Sequence, residues 1–217
     1  MDNQNNLYNL VKTQLLLSDL KELELQLSDT SKVSFPHLYL LLKNAFLTIT
    51  HVYDFKANIR LLFRDNPELS ELYKKDKKAY KFFKYLRNKL VGHLESPLLE
   101  QSIIWEPLHR IMAKNHNVDV IKRGIVYKTF ILETLVNTYL IESQEYVKIF
   151  GSSEVNFICF ENDKLTLIQH TKDTISSVIK TLEKQELILQ TLVPTLNDVS
   201  DLESYYRIAA KTDFKKL

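Results

Sequence analysis

The run Tyr80-Lys81-Phe82-Phe83-Lys84-Tyr85-Leu86-Arg87-Asn88-Lys89-Leu90-Val91-Gly92-His93-Leu94 decides how this chain of 217 residues is read. It closes a segment with a helical apolar period. On a wheel of about 100° per residue with Leu72 at zero, Leu69, Ala79, Tyr80, Phe83, Leu86, Leu90 and Val91 share one arc, with Tyr73 at its edge. Lys74, Lys77, Lys78, Lys81, Lys84 and Lys89 occupy the opposite arc. Arg87 does not join them; it lands among the apolar residues. A guanidinium keeps its proton in a protein, so on a packed face it requires an anionic or carbonyl partner. Gly92-His93 then reads as a helix stop with an imidazole at the break. One helix brings an Arg and a His to the same end, off its solvated side.

Outward from this run, three Gly and five Pro leave little material for tight turns. That composition predicts an all-α fold, a bundle of long antiparallel helices, and argues against a parallel α/β fold with Gly-rich turns. Leucines at helical spacing predict a first helix over Leu7 to Leu27. A second, from about Pro36 to Phe63, is apolar over more than half its circumference and reads as the central helix. Asn66-Pro67 starts the third helix, which runs to about Gly92. Ser96-Pro97 starts a fourth to about Lys114, disturbed at Pro107. Val120 to Phe150 is the fifth.

Gly151-Ser152-Ser153 is the candidate boundary, dividing a bundle over residues 1–150 from an appendage over 151–217 packed on it. Val155 to Phe160 and Leu165 to His170 are β-branched and aromatic runs flanking Glu161-Asn162-Asp163-Lys164. They read as a small β-hairpin near 155–170, with a helix carrying straight through as the alternative. Asp173 to Leu192 returns to helical spacing, and Asp201 to Lys215 forms a short amphipathic tail.

A single cysteine, Cys159, excludes an internal disulfide framework and fits a reducing compartment. The N-terminus lacks the basic-then-apolar order of a signal peptide, and no apolar run reaches about 18 residues without charges. A soluble, cytoplasmic protein without a membrane partner is expected. His109 and His116 are seven apart, but no carboxylate or Cys completes a metal set, and no Gly-rich phosphate loop is present. No metal and no cofactor are expected.

The net charge of +2 says little, but Lys74 to Lys89 holds eight basic residues against one acid, Asp76. Lys74, Lys77, Lys78, Lys81 and Lys84 are the candidate RNA-binding residues, against the simpler reading of a solvated face. On the second helix, Asn44, Thr48, His51, Asp54 and Asn58 form a polar stripe. This is a solvated face, or else His51 or Asp54 meets Arg87 across the bundle.

Arg87-Asn88, four residues and then His93 resembles the signature of the HEPN superfamily. These are all-α proteins, many of them metal-independent endoribonucleases of toxin–antitoxin, phage-defence and CRISPR-linked systems. The resemblance covers the motif and the bundle around it. Arg110-Ile111-Met112-Ala113-Lys114-Asn115-His116 repeats the spacing, but lacks the Asn after Arg and the apolar run into Gly-His. The resemblance implies a homodimer, an RNA substrate and a partner antitoxin protein. In such a site His93 transfers protons, Arg87 clamps the phosphate with its two-pronged fork, and Asn88 orients His93 or the sugar. One His supplies either base or acid, so two motifs meeting at a two-fold axis would complete the site. The alternatives are an interhelical bond for Arg87, a helix cap for His93, and a non-catalytic module binding RNA or protein.

Overall fold

The computed structural model describes residues 3–29, 35–92, 96–106, 108–114, 118–143, 154–157 and 161–193. All regular structure among them is helical, as expected. We number the α-helices α1 (Asn3–Ser28), α2 (Phe35–Phe55), α3 (Arg60–Asp65), α4 (Pro67–Lys75), α5 (Lys77–Leu86), α6 (Ser96–Trp105), α7 (Leu108–Lys114), α8 (Val120–Ser143) and α9 (Glu161–Leu192). A π-helical segment, Arg87–Gly92, continues α5.

The two longest helices lie side by side. Leu10, Leu17, Leu20 and Leu27 of α1 and Ile175, Val178, Leu182 and Leu189 of α9 are buried in one core. Polar pairs fix their direction: Thr13 accepts a bond of 2.6 Å from Gln185, Lys21 meets Glu183 at 2.8 Å, and the Ser176 hydroxyl donates to Glu24. Numbers rise on one helix as they fall on the other, so the pair is antiparallel. Thr13 and Gln185 satisfy each other where water is excluded, which fixes the register as well as the direction.

Helix α2 fills the centre, with Ala45, Phe46 and Ile49 fully buried. It meets α5 through Phe46 and Phe83, whose ring centroids are 5.5 Å apart, and through Tyr53 and Tyr80 at 5.8 Å. The wheel drawn from sequence holds over α4 and most of α5: Leu69, Tyr80, Phe83 and Leu86 are fully buried and Lys74, Lys77, Lys78 and Lys81 are exposed, while Lys84 and Lys89 of the same arc are half-buried. Phe82, outside that arc, is buried too, because Tyr139 of α8 and His170 of α9 close on it at 5.1 and 6.0 Å.

Three expected helices are interrupted. The second ends at Phe55, where Ala57, Asn58 and Ile59 donate to the carbonyls of Asp54, Phe55 and Lys56, each three residues back. Those tight 3₁₀-type bonds turn the chain before α3 starts. The third is broken at Asp76, and the fourth at Glu106; the predicted break point Pro107 lies outside the described residues.

The hairpin is a correction. Glu161 to His170 is the start of α9, with Glu161 and Asp163 in its first turn, where acids complement the helix dipole. The Thr166 hydroxyl donates to the Asn162 carbonyl within that turn. Val155–Phe157 is irregular, and its backbone is paired by side chains of α8 in place of a strand. Asn137 bonds both the N–H and the carbonyl of Val155, and Glu133 accepts from the Phe157 N–H. Cys159 and the tail Asp201 to Lys215 lie outside the described residues, as does the boundary Gly151-Ser152-Ser153.

His170 carries a consequence for stability. Its ring stacks on Phe83 at 5.6 Å, and burial pulls its pKa from 6.5 down to about 4, against the smaller opposing pull of Asp173. The folded state therefore holds it neutral while the unfolded chain takes up the proton. Stability should fall as pH drops from about 6.5 to about 4 and level off below, by up to about 3 kcal/mol from this group. Urea titrations of wild type and His170→Gln across that window check it. The variant should lose part of the slope, and equal slopes would refute the assignment.

Candidate functional site

The helix carrying Arg87 changes geometry at the motif. Up to Leu86 its bonds are α-helical, and the Arg87 N–H still points to the Lys84 and Phe83 carbonyls. From Arg87 to Gly92 the six residues are π-helical, with hydrogen bonds one residue longer. Leu90 and Val91 remain half-buried, and Leu90 packs against the core. The π turn thus keeps apolar contact while turning the intervening side chains relative to the α wheel. Such segments are uncommon and concentrate at functional sites.

Arg87 is half-buried and Asn88 exposed. The Arg87 Nη1 donates to Asn88 Oδ1 at 2.9 Å, so the residue after the Arg serves as its acceptor. His93 lies outside the described residues. Of the two readings of the α2 stripe, the one in which His51 or Asp54 meets Arg87 is not what the side chains show. Asp54 Oδ1 instead takes Lys84 Nζ at 2.6 Å, and His51 is exposed. The Lys84 ammonium also sits 4.8 Å from the Tyr53 ring centroid on α2.

Of the five candidate RNA-binding lysines, Lys74, Lys77, Lys78 and Lys81 are exposed and Lys84 is half-buried. Lys74 pairs with Glu71 at 2.6 Å, a bridge between two solvated side chains that contributes little. Two residues the sequence reading did not select, Lys56 and Arg60, join this face. They line an open cleft of about 500 Å³ with Tyr53, Tyr73, Lys74 and Lys77. Lys56 Nζ lies 3.7 Å from the Tyr73 centroid. Its pKa is lowered, first by burial and then by the positive charges of Lys77 and Lys74. The break after Phe55 places these residues here. A helix running straight to Phe63 gives no reason to group them with α4 and α5.

Other constellations are structural. Ser102 Oγ and His109 Nε2 are 2.8 Å apart, but both residues are buried and the imidazole is packed on Tyr127 and Phe130 at 5.2 and 4.7 Å. Burial lowers the His109 pKa. A nucleophile needs exposure to substrate, and both residues are buried; the pair ties α7 to α6. Arg110 is exposed on α7, and His116 lies outside the described residues. Among the described residues no group of three or more His, Cys, Asp or Glu could hold a metal ion, and no helix is long and apolar enough to cross a membrane.

No family model matches the sequence, and no curated protein or solved structure matches it either.

Proposed function

We propose that the chain is a metal-independent endoribonuclease of HEPN type, with Arg87, Asn88 and His93 as its site. The observation that carries the reading is the loss of α geometry at Arg87, where the motif begins. Beside it, the half-buried Arg87 is held by the Asn88 side chain at the edge of a lysine-rich face.

In the reaction, a base takes the proton of the RNA 2′-hydroxyl, and the 2′-oxygen bonds to phosphorus. The bond from phosphorus to the 5′-oxygen breaks, and an acid protonates that oxygen. The products are a 2′,3′-cyclic phosphate and a 5′-hydroxyl. His93 moves a proton, and Arg87 neutralises the charge that builds on the phosphoryl oxygens. One His cannot be base and acid in the same step, so the working unit is a homodimer with its two copies of the motif brought together at the two-fold axis. The setting is the cytoplasm, in toxin–antitoxin or phage defence, with an antitoxin protein as a further partner. Purified protein incubated with total RNA and a chelator should cut it, and His93→Ala should not. Uncut RNA with the folded wild type would leave the reading without support.

A second reading, a non-catalytic RNA- or protein-binding module of the same fold, is favoured by the clustered cations of the cleft, which need no His93 to bind a polyanion. Lysines separate affinity from chemistry. Lys77→Glu, Lys81→Glu and Lys84→Glu combined should weaken RNA binding in a salt-dependent way and leave cleavage of saturating RNA nearly unchanged. Unchanged binding at low salt would mean the face is merely solvated.

A further inference from the structure

The cleft between the end of α2 and the α4–α5 junction gathers Lys56, Arg60, Lys74 and Lys77 above Tyr53 and Tyr73. Lys56, Arg60 and Lys77 make no ion pair among the described residues. Asp54, the carboxylate in the wall, is taken by Lys84. Lys74 has Glu71 as its partner, but Lys56, Arg60 and Lys77 are held near one another with no carboxylate of their own among the described residues, which favours an anion in the cleft.

The rings indicate which part of a nucleic acid could enter. Tyr73 is stacked on Tyr80 at 4.7 Å and carries the Lys56 ammonium 3.7 Å from its centroid. A ring and an ammonium so close cannot share one face, so both faces of Tyr73 are occupied. Tyr53 has the Lys84 ammonium over its ring. No face of Tyr73 is left for a base, and these rings hold ammonium groups in place by cation–π attraction. What the cleft offers beside Tyr73 is ammonium and guanidinium groups, which suit phosphates.

Its position suggests a linear polyanion. Lys77 and Lys81 are exposed, share one side of α5 and lead from the cleft towards Arg87. Ten residues of helix span about 15 Å, room for a short run of nucleotides. We propose that Lys56, Arg60, Lys74 and Lys77 form an anchor for RNA backbone phosphates, placed about 15 Å along the helix from Arg87. Placing a cut relative to this anchor rests on the nuclease reading; binding there does not.

A short 2′-O-methyl RNA, which lacks the nucleophile and cannot be cut by 2′-hydroxyl attack, tests binding alone. Lys56→Gln with Arg60→Gln should weaken its binding at least about tenfold at low salt. The slope of log affinity against log salt should flatten by about 1.4, for two phosphate contacts on a single strand. Lys56→Arg with Arg60→Lys, which keeps both charges, should restore most of the affinity. Inorganic triphosphate should compete with the RNA on wild type and lose that competition on the Gln pair. Unchanged affinity and slope in a Gln pair with wild-type melting temperature would overturn the anchor. Triphosphate binding that the Gln pair abolishes, with RNA affinity intact, would overturn RNA as its occupant. Wild type that binds this RNA with the expected slope but cuts no natural RNA would leave the anchor standing and remove the nuclease.

Discussion

Arg87→Ala and His93→Ala should each abolish most RNA cleavage, while Arg110→Ala and His116→Ala should leave it near wild type. Both pairs have the same spacing, so the contrast isolates position from pattern. Losing a general acid or base lowers the rate by about 10²–10⁴-fold. Losing a preorganised donor to the developing charge lowers it by about 10²–10³-fold. The side chain of Arg87 is half-buried where α5 becomes π-helical and is held by Asn88, whereas Arg110 is exposed on the short helix α7. Initial rates on one RNA, with circular dichroism to confirm folding, make the comparison. Equal losses in both pairs, or none in the first, would contradict it.

Phe83→Ala should destabilise the fold by about 3–5 kcal/mol, the range for truncating a buried Phe to Ala. Phe83 has no solvent exposure and touches three elements: Phe46 of α2, Phe82 of its own helix and His170 of α9. These contacts converge one turn before Arg87, so the void would open under the candidate site. Urea unfolding measures the loss, and a change below about 1 kcal/mol would mean that the neighbours collapse to fill the space. Exposed Lys81, two residues earlier on the same helix, provides the control; Lys81→Ala should change stability by less than about 0.5 kcal/mol.

The helical class and the buried face of α4 and α5 were legible because apolar residues with few Gly and Pro leave one economical packing. Tyr80, Phe83 and Leu86 fell on the wheel where the core has them. The end of α2 was not legible. No Gly or Pro marks Lys56 to Ile59; the turn is made by carbonyl bonds three residues back, which a residue pattern does not encode. Missing it meant missing Lys56 and Arg60. The stretch 161–170 misled for a different reason. Leu167, Ile168 and Thr171 serve a helical face as readily as part of a strand, and only the continuation to Ile175 and Val178 resolves the period. Asn137 and Glu133, distant in sequence, take the place of a partner strand for Val155 and Phe157. At the site, the wheel set Arg87 apart from the lysines, but Arg87, Lys84 and Lys89 are alike half-buried, so burial does not separate the two arcs there. The wheel could not show the π segment, because it presumes a constant angle per residue.

The chemistry of the cut ends tests the central proposal most directly. RNA incubated with wild type and chelator should yield fragments ending in a 2′,3′-cyclic phosphate and beginning with a 5′-hydroxyl, and His93→Ala should yield none. Fragments bearing a 3′-hydroxyl and a 5′-phosphate, or cleavage at near wild-type rate in the folded His93→Ala variant, would contradict 2′-hydroxyl attack at the Arg87–His93 motif.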